Sequence, residues 1–324
     1  MFCGFDSVPH KSQFSRFKST FSDSLNDLFH NMVDLTEDLC QSTNPFLASI
    51  LITDTTGFEA YVKENNPKFY HSELRKSKAY SKVLQKEDPK STFDAEKFAQ
   101  GEMPKAAASN SDAKLAYLNG HFGYYQKCIL STNALGVIRD ANFFDSSNSL
   151  DLDLTPQDIK DSFDSKSLIP SLETFFQLHP NSSFKYFLGD SGFDADDNYA
   201  YLHSKKIMPI ININPRNSSS LPQPDFNDLG VPLCPSDHSL PMIYDGITRE
   251  KGRADRIKYI CPKAKKTKID GKTTYILSCE NPCTPSKCGR IKNITIHNNY
   301  RFNSSMPRDS LKWQKLYKIR TICE

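Results

Sequence analysis

The 324 residues contain no apolar stretch long enough to cross a membrane, which excludes a helical membrane span. The first thirty hold Lys11, Arg16 and Lys18 without a continuous apolar run, so no secretory signal is expected. A cytoplasmic location is the default expectation. A strong excess of one charge is also missing: 41 Lys and Arg against 38 Asp and Glu leave a net charge of +3. That is too little to imply a nucleic-acid partner, so any such partner has to be argued from where the charge sits. Paired CxxC knuckles are absent too, which removes the strongest form of a zinc signature. What is present is 38% apolar residues, enough to build one large core or two ordinary ones.

Positive charge gathers in two places. Residues 61–90 carry eight Lys and Arg against four Asp and Glu, with Tyr61, Phe69, Tyr70 and Tyr80 interleaved; residues 249–272 carry ten against three. Either run can be plain solvated surface or a path for phosphates. Of the nine cysteines, Cys3, Cys40, Cys128 and Cys323 are scattered and read as reduced, mostly buried thiols. The other five, Cys234, Cys261, Cys279, Cys283 and Cys288, fall within one 55-residue segment.

Along the chain, Phe14, Phe17, Phe21, Leu25, Leu28, Met32, Leu35 and Leu39 recur every three or four residues, which predicts an apolar stripe on a helix or helix pair that Asn44-Pro45 ends. The short apolar run 46–52 predicts a buried strand finishing at Asp54. Residues 61–115 are charged and punctuated by Pro67, Pro89 and Pro104, and read as a long, partly mobile excursion. Two β-favouring runs around Thr132-Asn133-Ala134-Leu135-Gly136 predict a hairpin. Thr155-Pro156 with Asp158 predicts a helix start, with a break near Pro170. The run 184–188 predicts a second buried strand, ending at Asp190; a helix over 198–204 and a strand over 207–213 follow. This order fits an α/β mixed sheet with Asp54 and Asp190 at strand ends. From 217 to 307 short β-like runs replace helices, and residues 308–324 return to helix, with Ser310 as cap and Leu316, Ile319 and Cys323 on its apolar face.

Cutting a phosphodiester calls for an activated oxygen nucleophile and neutralisation of charge at phosphorus, which two Mg²⁺ ions held by carboxylates supply. Tyr317, Arg320 and Glu324 are spaced three and four apart. At about 100° per residue they share a sector roughly 60° wide, joining a carboxylate, a guanidinium and a phenol on one helical face. An exposed Arg-to-Glu pair one turn apart explains the same spacing without any function.

Three stretches, Ile52-Thr53-Asp54-Thr55-Thr56-Gly57, Leu188-Gly189-Asp190-Ser191-Gly192-Phe193-Asp194 and Tyr317-x2-Arg320-x3-Glu324, resemble the acidic motifs of bacterial insertion-sequence transposases with an RNase H-like DDE domain. The resemblance covers residues 46–216 and 308–324. It implies an RNase H-like mixed sheet flanked by helices over 46–216, a helical N-terminal segment over 1–45, a β-rich Cys-containing insertion over 217–307, and a final core helix over 308–324. It implies that Asp54, Asp190 and Glu324 are catalytic and hold two Mg²⁺ ions, with Mn²⁺ able to substitute, while Tyr317 and Arg320 steady the DNA backbone. Asp194 is the weaker claimant beside Asp190, since acids at a helix start also suit the helix dipole. His121 and His203 read as polar or satisfied side chains. The implied partners are double-stranded DNA, as element ends and target, and a second copy in synapsis, in a prokaryotic cytoplasm near the nucleoid. Cys261, Cys279, Cys283 and Cys288 form the candidate set for a structural zinc, with Cys234 competing for Cys261's place. The family's signature continues with a Lys seven residues after the Glu and carries further helical sequence in front. The chain is therefore expected to be truncated at both ends, and the alternative expectation is an inactive DNA-binding remnant.

Overall fold

The computed structural model describes residues 10–88, 92–118, 121–143, 164–215, 225–287, 289–296, 299–302 and 305–323. The chain divides into two compact units, one of Met1–Thr53, Ser131–Arg139 and Ser165–Glu324, the other of Asp54–Leu130 and Asp140–Asp164.

In the first unit, helix α1 (Lys11–Thr43) opens on a His10 cap that pairs reciprocally with Gln13 and bends at Phe21, where φ is −119° and ψ is 20°. Asn44 then leaves helical geometry and caps the short α2 (Pro45–Ala48) by accepting from the Phe46 and Leu47 amides. Asn44-Pro45 thus ends the first helix as the sequence predicts. One face of α1 is tied down by polar contacts. The buried Arg139 guanidinium donates to Val33 O (2.9 Å), Thr36 Oγ1 (3.0 Å) and Glu37 Oε2 (2.5 Å). Buried His179 meets Asp34 at 2.7 Å and His30 at 3.1 Å. Burial, then the neighbouring His179, holds the His30 pKa below its ordinary value against the pull of Asp27 and Asp34.

Strand β1 (Ile50–Glu59) begins in this unit, and β5 (Tyr186–Gly189) and β6 (Met208–Ile211) lie parallel beside it. Ile50, Leu51 and Ile52 pair with Tyr186, Phe187 and Leu188, and β5 pairs with β6 from Tyr186↔Met208 to Gly189↔Ile211. Together with β2 (Lys114–Leu118), β3 (His121–Asn133) and β4 (Ile138–Phe143) these make a six-stranded mixed sheet, ordered β2-β3-β1-β5-β6 with β4 on β3. The β3-β4 turn is the predicted hairpin: Gly136 takes φ +80°, and the Asn133 side chain accepts from the Leu135 and Val137 amides. Buried Ile50, Ile52, Leu188 and Ile210 form the core with Met306, Trp313 and Leu316 of the chain's last segment.

Helices α5 (Asp164–Leu178), α6 (Asp196–Ser204) and α7 (Leu311–Tyr317) complete the unit's α/β layers. The predicted start at Thr155-Pro156 lies outside the described residues. The break expected near Pro170 does not occur, and α5 runs through it. One missing donor is outweighed there by burial of Leu168, Leu172 and Phe175 along the same face. Ser310 caps α7, accepting from the Trp313 amide at 3.3 Å. The expected continuous α-helix to residue 324 is corrected: after Tyr317 the chain tightens into a 3-10 turn, Lys318–Ile322.

The β-like runs of the insertion become β7 (Leu233–Cys234), β8 (Asp237–Pro241), β9 (Ile243–Thr248), β10 (Arg256–Ile260), β11 (Ala264–Ile269), β12 (Lys272–Leu277) and β13 (Ile291–Thr295). They form a β13-β10-β9 sheet and two hairpins, over a small core of Val231, Met242, Ile257, Tyr259 and Ile296. Burial works to raise the Asp245 pKa, but hydrogen bonds from Lys266, Tyr275 and Lys258 outweigh it and hold the group at about 2.

In the second unit the expected mobile excursion is corrected to two helices, α3 (Pro67–Glu87) and α4 (Ala95–Glu102). Each starts on a capping side chain, Asn66 accepting from Lys68 N and Asp94 from Glu96 N and Lys97 N. Pro67, read from sequence as a breaker, sits at the first helical turn, where its missing N–H is harmless. Phe69 and Tyr70 pack on buried Met103, Ala113 and Tyr124, while Tyr80, Phe93 and Phe98 make an aromatic cluster.

Candidate active site

In the first unit, β5 delivers Asp190 into a tight turn. Gly189 is needed immediately before it, because a Cβ there would stand 2.9 Å from both the Phe187 and Phe193 rings. Asp190 Oδ1 accepts from the Gly192 amide at 2.8 Å, which fixes the carboxylate's direction at the carboxyl end of the strand. The turn continues into Asp194, whose carboxylate is fully buried and has a different job from the helix-dipole acid read from sequence. Arg301 reaches it through Nε to Oδ1 (2.9 Å) and Nη2 to Oδ2 (2.6 Å), while the Tyr199 hydroxyl and Asn214 amide donate at 2.8 and 2.7 Å. Arg308 extends the network to Tyr199 Oη, Ile211 O and Arg301 O. Burial opposes the Arg301 charge, contact with Asp194 outweighs it, and the guanidinium pKa is raised. This ionic core ties the turn after Asp190 to the segment that leads into α7. Sequence reading missed Arg301 and Arg308, because no local pattern marks a partner 107 residues away. Asp196 and Asp197 do fall in the first turn of α6, as the dipole argument expects.

Tyr317 closes α7 and stacks on Trp313, with centroids 4.8 Å apart and planes at 12°. Arg320 lies with Cζ 5.7 Å from the Tyr317 ring, as expected where a 3-10 turn brings residues i and i+3 into line. Ile319 and Cys323 pack with Leu316 on the core, so the apolar face read from sequence is the one that docks. Glu324 lies outside the described residues.

In the second unit Asp54 is the first residue, half-buried, with Oδ1 accepting from the Thr55 amide at 2.9 Å. The strand does not stop there as expected, and β1 continues to Glu59. Thr53, Thr55 and Thr56 are β-branched and carry the strand beyond the apolar run that set its expected end. Asp140 on β4, not singled out from sequence, is a buried carboxylate that accepts from Asn142 Nδ2 at 2.7 Å. Burial, and then the Asp140 charge, push the Cys128 thiol up to about 11, so that thiol is inert.

Among the cysteines, Cys40 and Cys128 are buried and Cys323 half-buried, none of them in a disulfide. Buried Cys234 lies on β7. Cys261 follows β10 and its carbonyl accepts from the Ala264 amide, and the Ser278 amide bonds Lys263 O, which brings Cys279 to the open end of the β11-β12 hairpin. A Cβ on Gly289 would stand 2.8 Å from Cys261 Cβ. Cys283 is exposed, and Cys288 lies outside the described residues. Among the described residues no three or more His, Cys, Asp or Glu side chains are grouped to hold a metal, and no helix is long and apolar enough to cross a membrane. His203 stacks on Tyr300 at 4.2 Å, a packing contact.

No family model, curated protein or solved structure matches the chain. Its class is therefore set by its own architecture: an α/β protein with a mixed sheet flanked by helices.

Proposed function

We propose that the chain is a DDE-type DNA transposase with an RNase H-like core, cutting and joining DNA at the ends of an insertion sequence. One observation carries the reading. Ile52 and Leu188 are register partners on adjacent parallel strands, and the acids Asp54 and Asp190 each follow two residues later. The sheet order adds support. β3 lies on one side of β1 and β5 then β6 on the other, so the sheet order reverses at β1. Ligands of open α/β sheets bind beyond the carboxyl ends of strands at such a reversal.

The donor set suits Mg²⁺, which takes hard carboxylate oxygens, and Asp54, Asp190 and Glu324 would hold it. Two such ions supply an activated nucleophile and charge neutralisation at phosphorus. In the overall reaction a water oxygen bonds to phosphorus, the P–O3′ bond breaks, and a 3′-hydroxyl and a 5′-phosphate are released. The 3′-hydroxyl then bonds to a target phosphorus and displaces the target strand's own 3′ oxygen. Arg320, held over Tyr317, would bear on the DNA backbone, and Asp190 is aimed by its bond to Gly192. The β11-β12 hairpin, with exposed Lys265, Lys266, Lys268 and Lys272, is a two-stranded ribbon of the size a DNA groove admits.

Structural zinc on Cys261, Cys279, Cys283 and Cys288 belongs to the same reading, with Cys261 favoured over Cys234 because it shares the hairpin end with Cys279. Metal analysis of protein purified without chelator is expected to find one zinc per chain, lost in Cys261→Ser and kept in Cys234→Ser. Zinc-free protein would remove this element.

A second reading, a non-catalytic DNA-binding remnant, is favoured by one observation: the α-helix gives way to a 3-10 turn before Glu324 is reached. Incubating the 324-residue chain with supercoiled plasmid separates the two. Nicking in Mg²⁺ that EDTA abolishes supports the transposase, whereas binding without nicking supports the remnant.

A further inference from the structure

Helix α1 has an inner face held largely by polar contacts and an apolar outer face that is exposed among the described residues. Its inner face presents Val33, Cys40, His30 and Glu37 to the rest of the first unit. Its outer face leaves Phe21, Leu25, Leu28, Met32, Leu35 and Leu39 between 38% and 79% exposed. A stripe covered only by water has no reason to keep a fixed period. From the bend at Phe21 onward this one does: the intervals are four, three, four, three and four, the 3.5-residue repeat of a coiled-coil seam rather than the 3.6 of an ordinary buried face, while Phe14 and Phe17 before the bend fall outside that repeat. With Leu25, Met32 and Leu39 at a and Phe21, Leu28 and Leu35 at d, the inner residues fall at b and f. Asp34 at c and Thr36 at e also touch the first unit, and the a and d positions stay exposed among the described residues.

The stripe is also able to pair with a copy of itself. The six positions are symmetric about residue 30: 21 with 39, 25 with 35, 28 with 32. An antiparallel copy of the same helix, related by a two-fold axis at His30, would place a d residue against an a residue in every layer. The flanks suit such self-pairing. Ser22, Phe29 and Thr36 at e and Ser24, Asn31 and Asp38 at g carry one charge among them, and Asp38 would meet the partner's Ser24 rather than a like charge. Six side chains leaving on the order of 100 Å² each give about 600 Å² per copy before the flanks are added, against the roughly 800 Å² per partner of a standard interface.

We infer that the outer face of α1 is a homodimer interface, an antiparallel helix pair between two copies of this chain. It stands on the helix alone and does not depend on the acidic site. The test is the mass of the full chain by sedimentation equilibrium. The wild type is expected at twice 36.8 kDa. Leu28→Glu, on an exposed position that leaves the fold intact, is expected to weaken association at least about a hundredfold by placing a charge in the seam. Leu28→Glu with Met32→Lys is expected to recover most of it, because in the antiparallel pair each Glu meets a Lys of the other copy. A wild-type monomer at roughly 100 µM, where even weak interfaces form, would overturn the inference, and so would an undiminished Leu28→Glu dimer. A double variant as weak as the single one would overturn the antiparallel arrangement.

Discussion

Asp190→Ala is expected to lower Mg²⁺-dependent nicking of supercoiled plasmid by about three orders of magnitude or more, with DNA binding unchanged. A carboxylate that holds a metal contributes several kcal/mol to stabilising charge at phosphorus, and every 1.36 kcal/mol is tenfold in rate. Asp54→Ala is expected to match it, since both acids occupy equivalent positions after paired residues of β1 and β5. Asp190 also organises its own turn through Gly192, so alanine removes a cap as well as a charge. Asp190→Asn separates the two roles. Its side-chain oxygen still accepts from Gly192, so thermal stability is expected to stay at the wild-type value while nicking falls as far as in the alanine variant. An Asn variant that nicks normally would leave Asp190 as a turn residue only.

The second large effect is on stability. Asp194→Ala is expected to destabilise the chain by about 3–5 kcal/mol, because it strands the Arg301 guanidinium in a site where both partners are almost fully buried. Urea unfolding would show a lower midpoint at unchanged slope. Replacing both partners with apolar side chains, Asp194→Leu with Arg301→Met, is expected to cost much less, since no unpaired charge remains. Equal losses in the single and double variants would mean that the Tyr199, Asn214 and Arg308 contacts, rather than the ion pair, hold this corner together. The lowered Asp245 fits the same logic in the insertion. Its folded pKa of about 2 lies below the unfolded value, so its contribution is complete above the ordinary carboxylate range and fades as pH falls toward 2.

Much of the scaffold was legible because it is written locally. The apolar runs of β1 and β5, the Asn133 and Gly136 turn, the Asn44 and Ser310 caps and the docking face Leu316, Ile319 and Cys323 need only neighbours in sequence. The misreadings share a cause as well. Pro67 and Pro170 were taken as breakers, but the first stands where its missing amide is harmless and the second in a helix whose burial outweighs one lost bond. Helix α3 is strongly polar overall, which hid it in the sequence, and its Phe69 and Tyr70 pack on Met103, Ala113 and Tyr124. Asp194 was assigned to the helix dipole because its partner Arg301 is 107 residues away, a pairing no local pattern reveals. The switch from α to 3-10 after Tyr317 was equally hidden, although it still leaves Arg320 beside Tyr317.

The central proposal is that Asp54 and Asp190 are divalent-metal ligands. Anomalous scattering from crystals soaked in Mn²⁺ tests it without any substrate. The account predicts manganese on carboxylate oxygens of both Asp54 and Asp190, as a pair of peaks roughly 3.5–4 Å apart once a nucleic-acid end is bound. Manganese elsewhere on the protein with neither carboxylate occupied would contradict it.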